Sequence, residues 1–268
     1  MKRTMIAVFL ILALLLTSST LPCFAGNELV QRIIERIGEA KKNLALNSDP
    51  FEGFCASANQ RLSFRTGPNT AYVELFTMPQ STQVEVISME EGNDVIWVLC
   101  RFRKDGNVYY GYTGLKRFNL SEHDLPWSDF RYSVAKACFE MGVYSAPYGD
   151  GVSRGRIIAG ELVRVLELCD GYAFIEFYDA SNKAMSRGWV PHEDLDDYEY
   201  DSAFMNQESN VYANASSNSS KIGRVGRYEI VGWSGVENGY AEIVFYSASA
   251  KTLLSGFVPY ERLATSFA

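Results

Sequence analysis

The chain has 268 residues and is acidic, with 25 lysines and arginines against 32 aspartates and glutamates and a net charge of −7 at pH 7. Such a surface repels polyanions, and the sequence has no basic cluster interleaved with aromatics, so nucleic acid is excluded as a partner. Only 2 histidines and 5 cysteines are present, which leaves few residues for metal sites or nucleophilic catalysis.

Residues 1–25 have the pattern of an export signal. Lys2 and Arg3 precede an unbroken apolar run from Met5 to Leu16, and Cys23-Phe24-Ala25 places small residues before a cleavage site at Gly26. The alternative is a retained membrane anchor, but the run is too short to span a bilayer comfortably. The pattern predicts a secreted protein with no membrane span after cleavage.

Residues 27–48 are predicted to form one amphipathic helix. Its apolar stripe repeats with a helical period and consists of Val30, Ile33, Ile34, Ile37 and Leu44. Ser48-Asp49-Pro50 is a clear stop signal. The polar face mixes both charges, which favours packing against the protein over binding a membrane or a partner.

From residue 54 onward the hydrophobic period changes from helical to alternating. Short segments such as Val84-x-Val86, Val98-x-Cys100 and Ile243-x-Phe245 are separated by Gly-Asn, Asp-Gly and Asn-Gly pairs. Alternation between turn signals is typical of short strands. The pattern predicts an all-β region with no helix of normal length.

The second half of the chain repeats itself. Residues 135–195 align without a gap on residues 203–263, with the matches Val143-Tyr144 on Val211-Tyr212, Gly171-Tyr172-Ala173 on Gly239-Tyr240-Ala241, and Gly188-x-Val190-Pro191 on Gly256-x-Val258-Pro259. A duplicated small domain favours repeated binding surfaces over one assembled active site. We therefore expect two related domains, at 131–197 and 200–265.

One segment before the duplication carries a recognisable motif. Its matching positions are Leu62, Arg65, Gly67, Pro68, Thr70, Tyr72 and Val73. In this register the segment resembles the signature loop of the bacterial SH3 (SH3b) domain. The duplicated copies keep parts of the same plan, such as Pro147 and the closing Gly188-Trp189-Val190. The resemblance implies an all-β fold of three tandem small SH3-like barrels, at 54–120, 131–197 and 200–265, preceded by one amphipathic helix.

The segments that join the three units are short. Residues 121–127 join the first two units and the acidic segment 194–200 joins the last two. Short linkers hold neighbouring domains close together. We expect the units to pack in a semi-rigid row.

Four cysteines follow the signal segment: Cys55, Cys100, Cys138 and Cys169. An exported protein could form disulfides, and Cys55 to Cys100 or Cys138 to Cys169 would each bridge one unit. The two copies of the repeat do not share their cysteines, however. Buried free thiols are therefore the favoured interpretation.

Conventional catalytic and metal-binding patterns are missing from the sequence. His123 and His192 lie in no recognisable catalytic motif, and neither is paired with an orienting residue. The acidic run 194–197 lacks the glycine of a calcium loop, and no zinc-type cysteine spacing occurs. The sequence predicts that the protein is not an enzyme and needs no metal or cofactor.

Candidate ligand-binding residues come from the resemblance and from the aromatic residues. In the family, ligands lie in a groove beside the signature loop, where aromatic side chains contact peptide or glycan. The candidates are Arg65, Tyr72, Trp97 and Tyr112 in the first unit, Tyr148 in the second and Trp233 in the third. Tyr148 and Trp233 are included because they do not recur between copies, whereas recurring aromatics are expected to fill cores.

The resemblance implies a function in the cell wall. We expect a secreted or wall-associated, non-catalytic protein whose SH3b repeats recognise peptide material of peptidoglycan, with weak sites adding through avidity. The alternative is a protein-interaction or adhesion scaffold that binds a surface protein. Both interpretations leave the oligomeric state open.

Overall fold

The computed structural model describes residues 54–148 and 151–265. The predicted export signal and the predicted helix at 27–48 lie outside the described residues. Within them the chain is all-β, with only short 3-10 turns beside the strands, which confirms that prediction. No helix in these two ranges is long and apolar enough to cross a membrane.

The first unit is a six-stranded antiparallel sheet. Its strands are β1 Phe54–Ser57, β2 Leu62–Arg65, β3 Glu74–Met78, β4 Gln83–Gly92, β5 Val95–Lys104 and β6 Asn107–Gly114. They hydrogen-bond in the order β1-β4-β5-β6-β2-β3. A 3-10 turn at Leu115–Arg117 follows the last strand. The inner face packs an apolar core around Leu62, Phe64 and Val98.

The second and third units share one 13-stranded sheet. The second unit contains β7 Ser133–Ala137, β8 Met141–Tyr144, β9 Ser153–Ile157, β10 Leu162–Cys169, β11 Tyr172–Asp179 and β12 Ala184–Pro191. The third contains β13 Leu195–Met205, β14 Ser209–Tyr212, β15 Lys221–Val225, β16 Ile230–Glu237, β17 Tyr240–Ser247 and β18 Thr252–Pro259, with β19 Leu263–Ala264 on β13. Their 3-10 turns lie at His192–Asp194 and Tyr260–Arg262.

All three units have the same strand order. Counted within each unit, the neighbours run first, fourth, fifth, sixth, second and third. The fourth strand carries a β-bulge at the same place in each unit, at Ile87, Leu166 and Ser234. A bulge is a specific local feature, so it fixes residue-by-residue equivalence between units whose sequences have diverged. The first unit is thereby aligned with the duplicated pair.

The segment 194–200, predicted as a linker, is not one. Strand β13 runs continuously through it, pairing Leu195 to Tyr198 with β7 of the second unit and Asp201 to Phe204 with β16 of the third. A strand paired on both sides cannot act as a flexible hinge. The second and third units are therefore joined by backbone hydrogen bonds.

The first two units pack face to face through equivalent positions. Leu166, Phe174 and Trp189 of the second unit meet Ile87, Leu99 and Tyr112 of the first in one buried cluster. In the bulge-based alignment these are the same three positions of each sheet. The two units therefore form an internal pair with approximate two-fold symmetry.

Backbone contacts follow the same symmetry. Val73 N donates to the Met185 carbonyl at 3.2 Å, and Tyr110 N donates to the Ser145 carbonyl at 3.0 Å. Bridges join Tyr72 to Met185 and Val108 to Gly151, which are equivalent pairs in reversed roles. Main-chain bonding of this kind holds the two units at one distance and one angle.

The four cysteines are free thiols, as the favoured interpretation has it, but only Cys100 is buried, so the expectation that all four are buried is wrong. Cys100 is buried in the first unit's core, and its burial raises the pKa of the thiol. Cys55 is exposed on the edge strand β1. Neither of the two bridges considered from the sequence is formed.

We predict that Gly188→Ala destabilises the protein by about 2 kcal/mol, the range of overpacking in a filled site. A Cβ at Gly188 would lie 2.5 Å from Val143 Cγ1 and 2.7 Å from the Tyr144 carbonyl oxygen. Gly235→Ala is the matched control, because a Cβ there meets nothing within 4 Å. Its effect should stay within about 1 kcal/mol. Urea unfolding of both variants measures the difference in stability. Equal stability of the two variants would contradict the close packing of Gly188 against Val143 and Tyr144.

Candidate functional site

A cleft of about 510 Å³ opens where the first unit meets the other two. This volume is within the range of sites for small ligands. The signature loop contributes Pro68, Asn69 and Tyr72 to its lining. The remaining lining residues are Glu90, Glu91, Gly92, Asn93, Asp94, Tyr132, Arg164, Arg187 and Thr265.

One wall of the cleft is a feature of the first unit alone. In the second and third units the hairpin of the fourth and fifth strands closes at Cys169–Tyr172 and Glu237–Tyr240. In the first unit the equivalent hairpin continues for two more pairs, Glu91 with Ile96 and Gly92 with Val95. The extension supplies Glu91, Gly92, Asn93 and Asp94 to the lining. Trp97 Nε1 braces it by donating to the Gly92 carbonyl at 3.1 Å.

The floor of the cleft is a buried ion network centred on Arg187. Its guanidinium donates to both carboxylate oxygens of Glu90, at 2.6 and 2.9 Å, and to Glu176 Oε1 at 2.7 Å. It also donates to the Tyr112 hydroxyl at 2.7 Å. Tyr72 completes the set by donating its hydroxyl hydrogen to Glu176. A pair of buried carboxylates thus links the first unit to the second.

Arg164 extends the network to the third unit. Its guanidinium donates to Glu176 Oε2 at 3.3 Å and to the carbonyls of Ser202 and Thr265 at 3.3 and 3.0 Å. The same group lies 3.9 Å above the ring of Phe204. The first unit therefore meets the network through the Glu90 carboxylate, and the third meets it through backbone carbonyls and the Phe204 ring.

The strand register explains why these charges are neighbours. Arg164 on β10 pairs with Glu176 on β11, which pairs with Arg187 on β12. Cross-strand neighbours of opposite charge stabilise a sheet. In the first unit the equivalent positions are Glu85, Arg101 and Tyr110, and in the third they are Gly232, Val244 and Ser255. Only in the second unit does a glutamate at this position have one arginine on each of its two neighbouring strands.

Burial and ion pairing shift the pKa values of Glu176 and Arg187 in opposite directions. Burial by itself would raise the pKa of Glu176, but the charges of Arg187 and Arg164 outweigh it and the pKa is lowered. For Arg187, burial opposes the charged form, yet Glu90 and Glu176 raise the pKa above its ordinary value. Burial and then the Glu176 charge raise the pKa of Tyr72. Pairing thus favours the charged forms of Glu176 and Arg187, and burial favours the neutral form of Tyr72.

Tyr132 stands at the edge of the cleft in a strained backbone. Its φ of 54° lies in the left-handed region, which is rare for an aromatic residue. Its hydroxyl donates to Glu90 Oε1 at 3.2 Å, and its carbonyl accepts from Ser202 Oγ at 2.6 Å. Contacts with two other units hold it in this conformation.

The structure brings one of the predicted ligand-binding residues into the cleft. Tyr72 lines it but is only 2% exposed. Tyr112 is fully buried and bonded to Arg187, so it has no surface for a ligand. Arg65 donates to Glu74 at 2.7 Å and to the Tyr72 carbonyl at 3.1 Å, so it holds its own loop. Trp97 supports the hairpin from outside.

The two candidates from the other units lie apart from the cleft lining. Tyr148 donates to Asp170 at 3.0 Å and packs against the ring of Tyr172. Trp233 is half-buried against the third unit's core, with its ring 6.4 Å from that of Tyr260. The aromatic residues that differ between the two copies, Tyr148 and Trp233, therefore do not lie on one common surface with the cleft.

Several residues of the cleft were missed from the sequence. The sequence patterns single out none of Glu90, Arg164, Glu176 and Arg187 as candidate site residues. One signal was available, because Glu176 interrupts the apolar run Phe174-Ile175-Glu176-Phe177. A charge inside such a run indicates a buried partner, although it does not identify that partner.

Comparison with known proteins gives distant matches only. No family model matches the chain, and no curated protein matches it. Among solved structures, NlpC1 from Trichomonas vaginalis matches at 10% identity and a TM-score of 0.24, covering 80% of this chain and 91% of that one. NlpC2 from the same organism matches at 9% identity and a TM-score of 0.24, covering 80% and 94%.

These matches contradict the prediction that the protein is not an enzyme. We therefore withdraw that prediction. At a TM-score of 0.24 the likeness assigns neither a fold nor an activity to this chain. Within residues 54–148 and 151–265, no group of three or more metal-ligating side chains is placed to hold a metal ion.

We predict that Glu176→Gln destabilises the protein by about 3 kcal/mol, because Arg187 and Arg164 would lose a buried counter-charge. Since the folded pKa of Glu176 is lowered, its contribution is present above the unfolded pKa and disappears as pH falls through the folded pKa. The difference between wild type and variant should therefore narrow in acid.

Glu140→Gln is the control, because Glu140 pairs with Arg156 on the open surface. Denaturant unfolding at neutral and acidic pH provides the comparison. A Glu176→Gln loss no larger than that of Glu140→Gln would refute the structural role of the network.

Proposed function

We propose that this is a secreted, wall-associated protein of three SH3b-like barrels that binds peptide material of peptidoglycan in the cleft of its first unit. The main support for this proposal is the position of the cleft. The loop that resembles the SH3b signature is the loop that lines the cleft, through Pro68, Asn69 and Tyr72. The shared strand order and the 3-10 turn that follows the sixth strand in each unit support three domains of one kind.

The cleft suits a polar, chain-like ligand. It is bordered by carboxylates, an amide and a hydroxyl as well as the half-exposed ring of Tyr132. Its floor is held by the ion network, so its shape exists before a ligand arrives. A pre-organised site avoids part of the ordering cost of binding.

We predict that Thr265→Trp abolishes binding to purified peptidoglycan sacculi or weakens it at least about tenfold, roughly 1.4 kcal/mol. Thr265 is exposed and lines the cleft, so an indole there would occupy the ligand's space. Thr252→Trp adds the same ring at an exposed strand position that is not part of the lining and should bind as wild type does. Co-sedimentation with sacculi at low salt measures both.

Two results would overturn parts of the proposal. Undiminished binding by Thr265→Trp would show that the cleft is not the site. If wild type fails to sediment with sacculi at low salt, the wall function is wrong. Retention of a defined surface protein by that same wild-type chain would then support the scaffold alternative.

A further inference from the structure

A second groove, of about 370 Å³, lies at the junction of the first two units. It is lined by residues 87–88 of the first unit, 126–130 of the segment that precedes β7, and 167–169 of the second unit. We name it the tryptophan groove after Trp127, which is 51% exposed. None of these residues lines the cleft, so the groove is a separate cavity.

The backbone around Trp127 is held in place by strand β4. Met89 N donates to the Pro126 carbonyl at 2.8 Å, and Ser128 N donates to the Met89 carbonyl at 2.8 Å. The hydroxyl oxygens of Ser88 and Ser128 are 2.7 Å apart. The indole ring itself forms no hydrogen bond or ring contact with the described residues. A large aromatic ring on a fixed backbone buries its free face against a ligand at little entropic cost.

The polar side chains of the groove include two carboxylates. Asp129 is exposed and Glu167 is half-buried, and neither forms an ion pair with a described residue. The lining has no lysine, arginine or histidine. Carboxylates without a cation repel phosphates and acidic polymers. Ionised carboxylates only accept hydrogen bonds, and those from hydroxyl donors are short and strong. The groove therefore suits a ligand that is rich in hydroxyl groups and carries no negative charge.

The apolar part of the groove indicates the size of that ligand. Ile87, Phe130 and Leu168 line the groove together with the indole. Sites for small ligands combine such apolar surface with a few polar groups that fix orientation. A pyranose ring has the matching surfaces, because one face carries C–H groups and its edge carries hydroxyls. A small cation would also be attracted to an aromatic ring beside carboxylates, but it would leave the apolar lining uncovered.

The groove lies next to the cleft along the same strand. Ser88 lines the groove and Glu90 lines the cleft, two residues further along β4, which is about 7 Å in an extended strand. On the segment before β7, Phe130 lines the groove and Tyr132 lines the cleft, and their ring centroids are 6.1 Å apart. In peptidoglycan each wall peptide is attached to a sugar of the glycan strand. A sugar held in the groove would therefore bring its attached peptide close to the cleft.

We infer that the tryptophan groove binds a sugar ring of the peptidoglycan glycan strand. Trp127 stacks on the C–H face of the ring, and Asp129 and Glu167 accept hydrogen bonds from its hydroxyls. This inference rests on the proposed function and adds a saccharide contact to the peptide contact in the cleft. The protein then recognises the point where peptide and glycan are joined.

The test uses sacculi whose peptides have been removed by an amidase, which leaves bare glycan strands. Wild type should bind the solubilised strands, and Trp127→Ala should bind them at least about tenfold more weakly, because a tryptophan in a binding site is a typical hot spot. Trp127→Tyr keeps an aromatic face and should retain most of the binding. Calorimetry measures all three proteins. Equal binding by wild type and Trp127→Ala would overturn the inference.

Tryptophan fluorescence gives an independent readout with a soluble probe, the tetrasaccharide of β-1,4-linked N-acetylglucosamine. Among the four tryptophans of the chain, Trp127 alone is exposed. A sugar stacked on its ring excludes water and should shift the emission of wild type to shorter wavelength. The same titration of Trp127→Tyr should give no shift, and a shift in that variant would place the sugar elsewhere and overturn the inference.

Phe139→Ala is the control variant. Phe139 is 64% exposed and lies outside the groove lining, so its loss removes a surface aromatic ring without touching the groove. This variant should bind bare strands as wild type does. A loss equal to that of Trp127→Ala would show a general effect of surface aromatics and contradict a site at the groove.

The remaining outcomes separate the two proposals. If wild type sediments with intact sacculi but does not bind bare strands, the glycan site is wrong and the wall function stands. Strand binding that is lost at high salt also overturns the glycan site, because contacts to a neutral sugar are not screened as ion pairs are. No binding to intact sacculi overturns the proposed function and with it the inference.

Discussion

The structure depends on a ladder of buried charges that runs from Arg164 through Glu176 to Arg187. Taking such groups out of water costs several kcal/mol for each ion, and only close pairing offsets that cost. Here the pairing partners come from different units, since Arg187 reaches Glu90 in the first and Arg164 reaches carbonyls in the third. Moving the first unit would separate Glu90 from Arg187, and moving the third would remove two carbonyl acceptors from Arg164. The ladder therefore specifies the arrangement of the units more than it adds to their stability.

The internal pairing of the first two units accounts for how the repeats have diverged. The three facing positions are apolar in both partners, where they form a common buried cluster. In the third unit the equivalents of Leu166 and Phe174 are Ser234 and Glu242, both exposed and hydrogen-bonded to each other at 2.9 Å. A polar replacement keeps that face in solvent. The repeats thus share a core pattern but differ in what they present to their neighbours.

The candidate site lies where this divergence is greatest. The first unit alone extends its hairpin past the point where the other two turn, and the extension forms the wall opposite the second unit. Hairpin tips tolerate insertions because they add little to the core. A variable wall on a fixed floor is a common way to build a binding site on rigid elements. Here the floor is rigid because three units share it.

From the sequence, alternation and turn pairs determined the all-β class, and the ungapped repeat determined that residues 135–195 and 203–263 fold alike. These properties are local, or follow from self-similarity, so they can be read along one chain. The sequence could not show which faces of the sheets pack against each other. Residues 194–200 looked like an acidic linker, yet all but Asp194 lie in strand β13, which pairs with the second unit at one end and the third unit at the other.

The candidate site was determined only by the tertiary structure. Glu90, Glu176 and Arg187 are far apart in the sequence and become neighbours through strand register and the pairing of two units. Tyr72 and Tyr112 were predicted to contact a ligand, and in the structure they are buried and bonded to Glu176 and Arg187 of the second unit. The physical reason is that burial depends on which surfaces pack together, and single-chain periodicity carries no information about that.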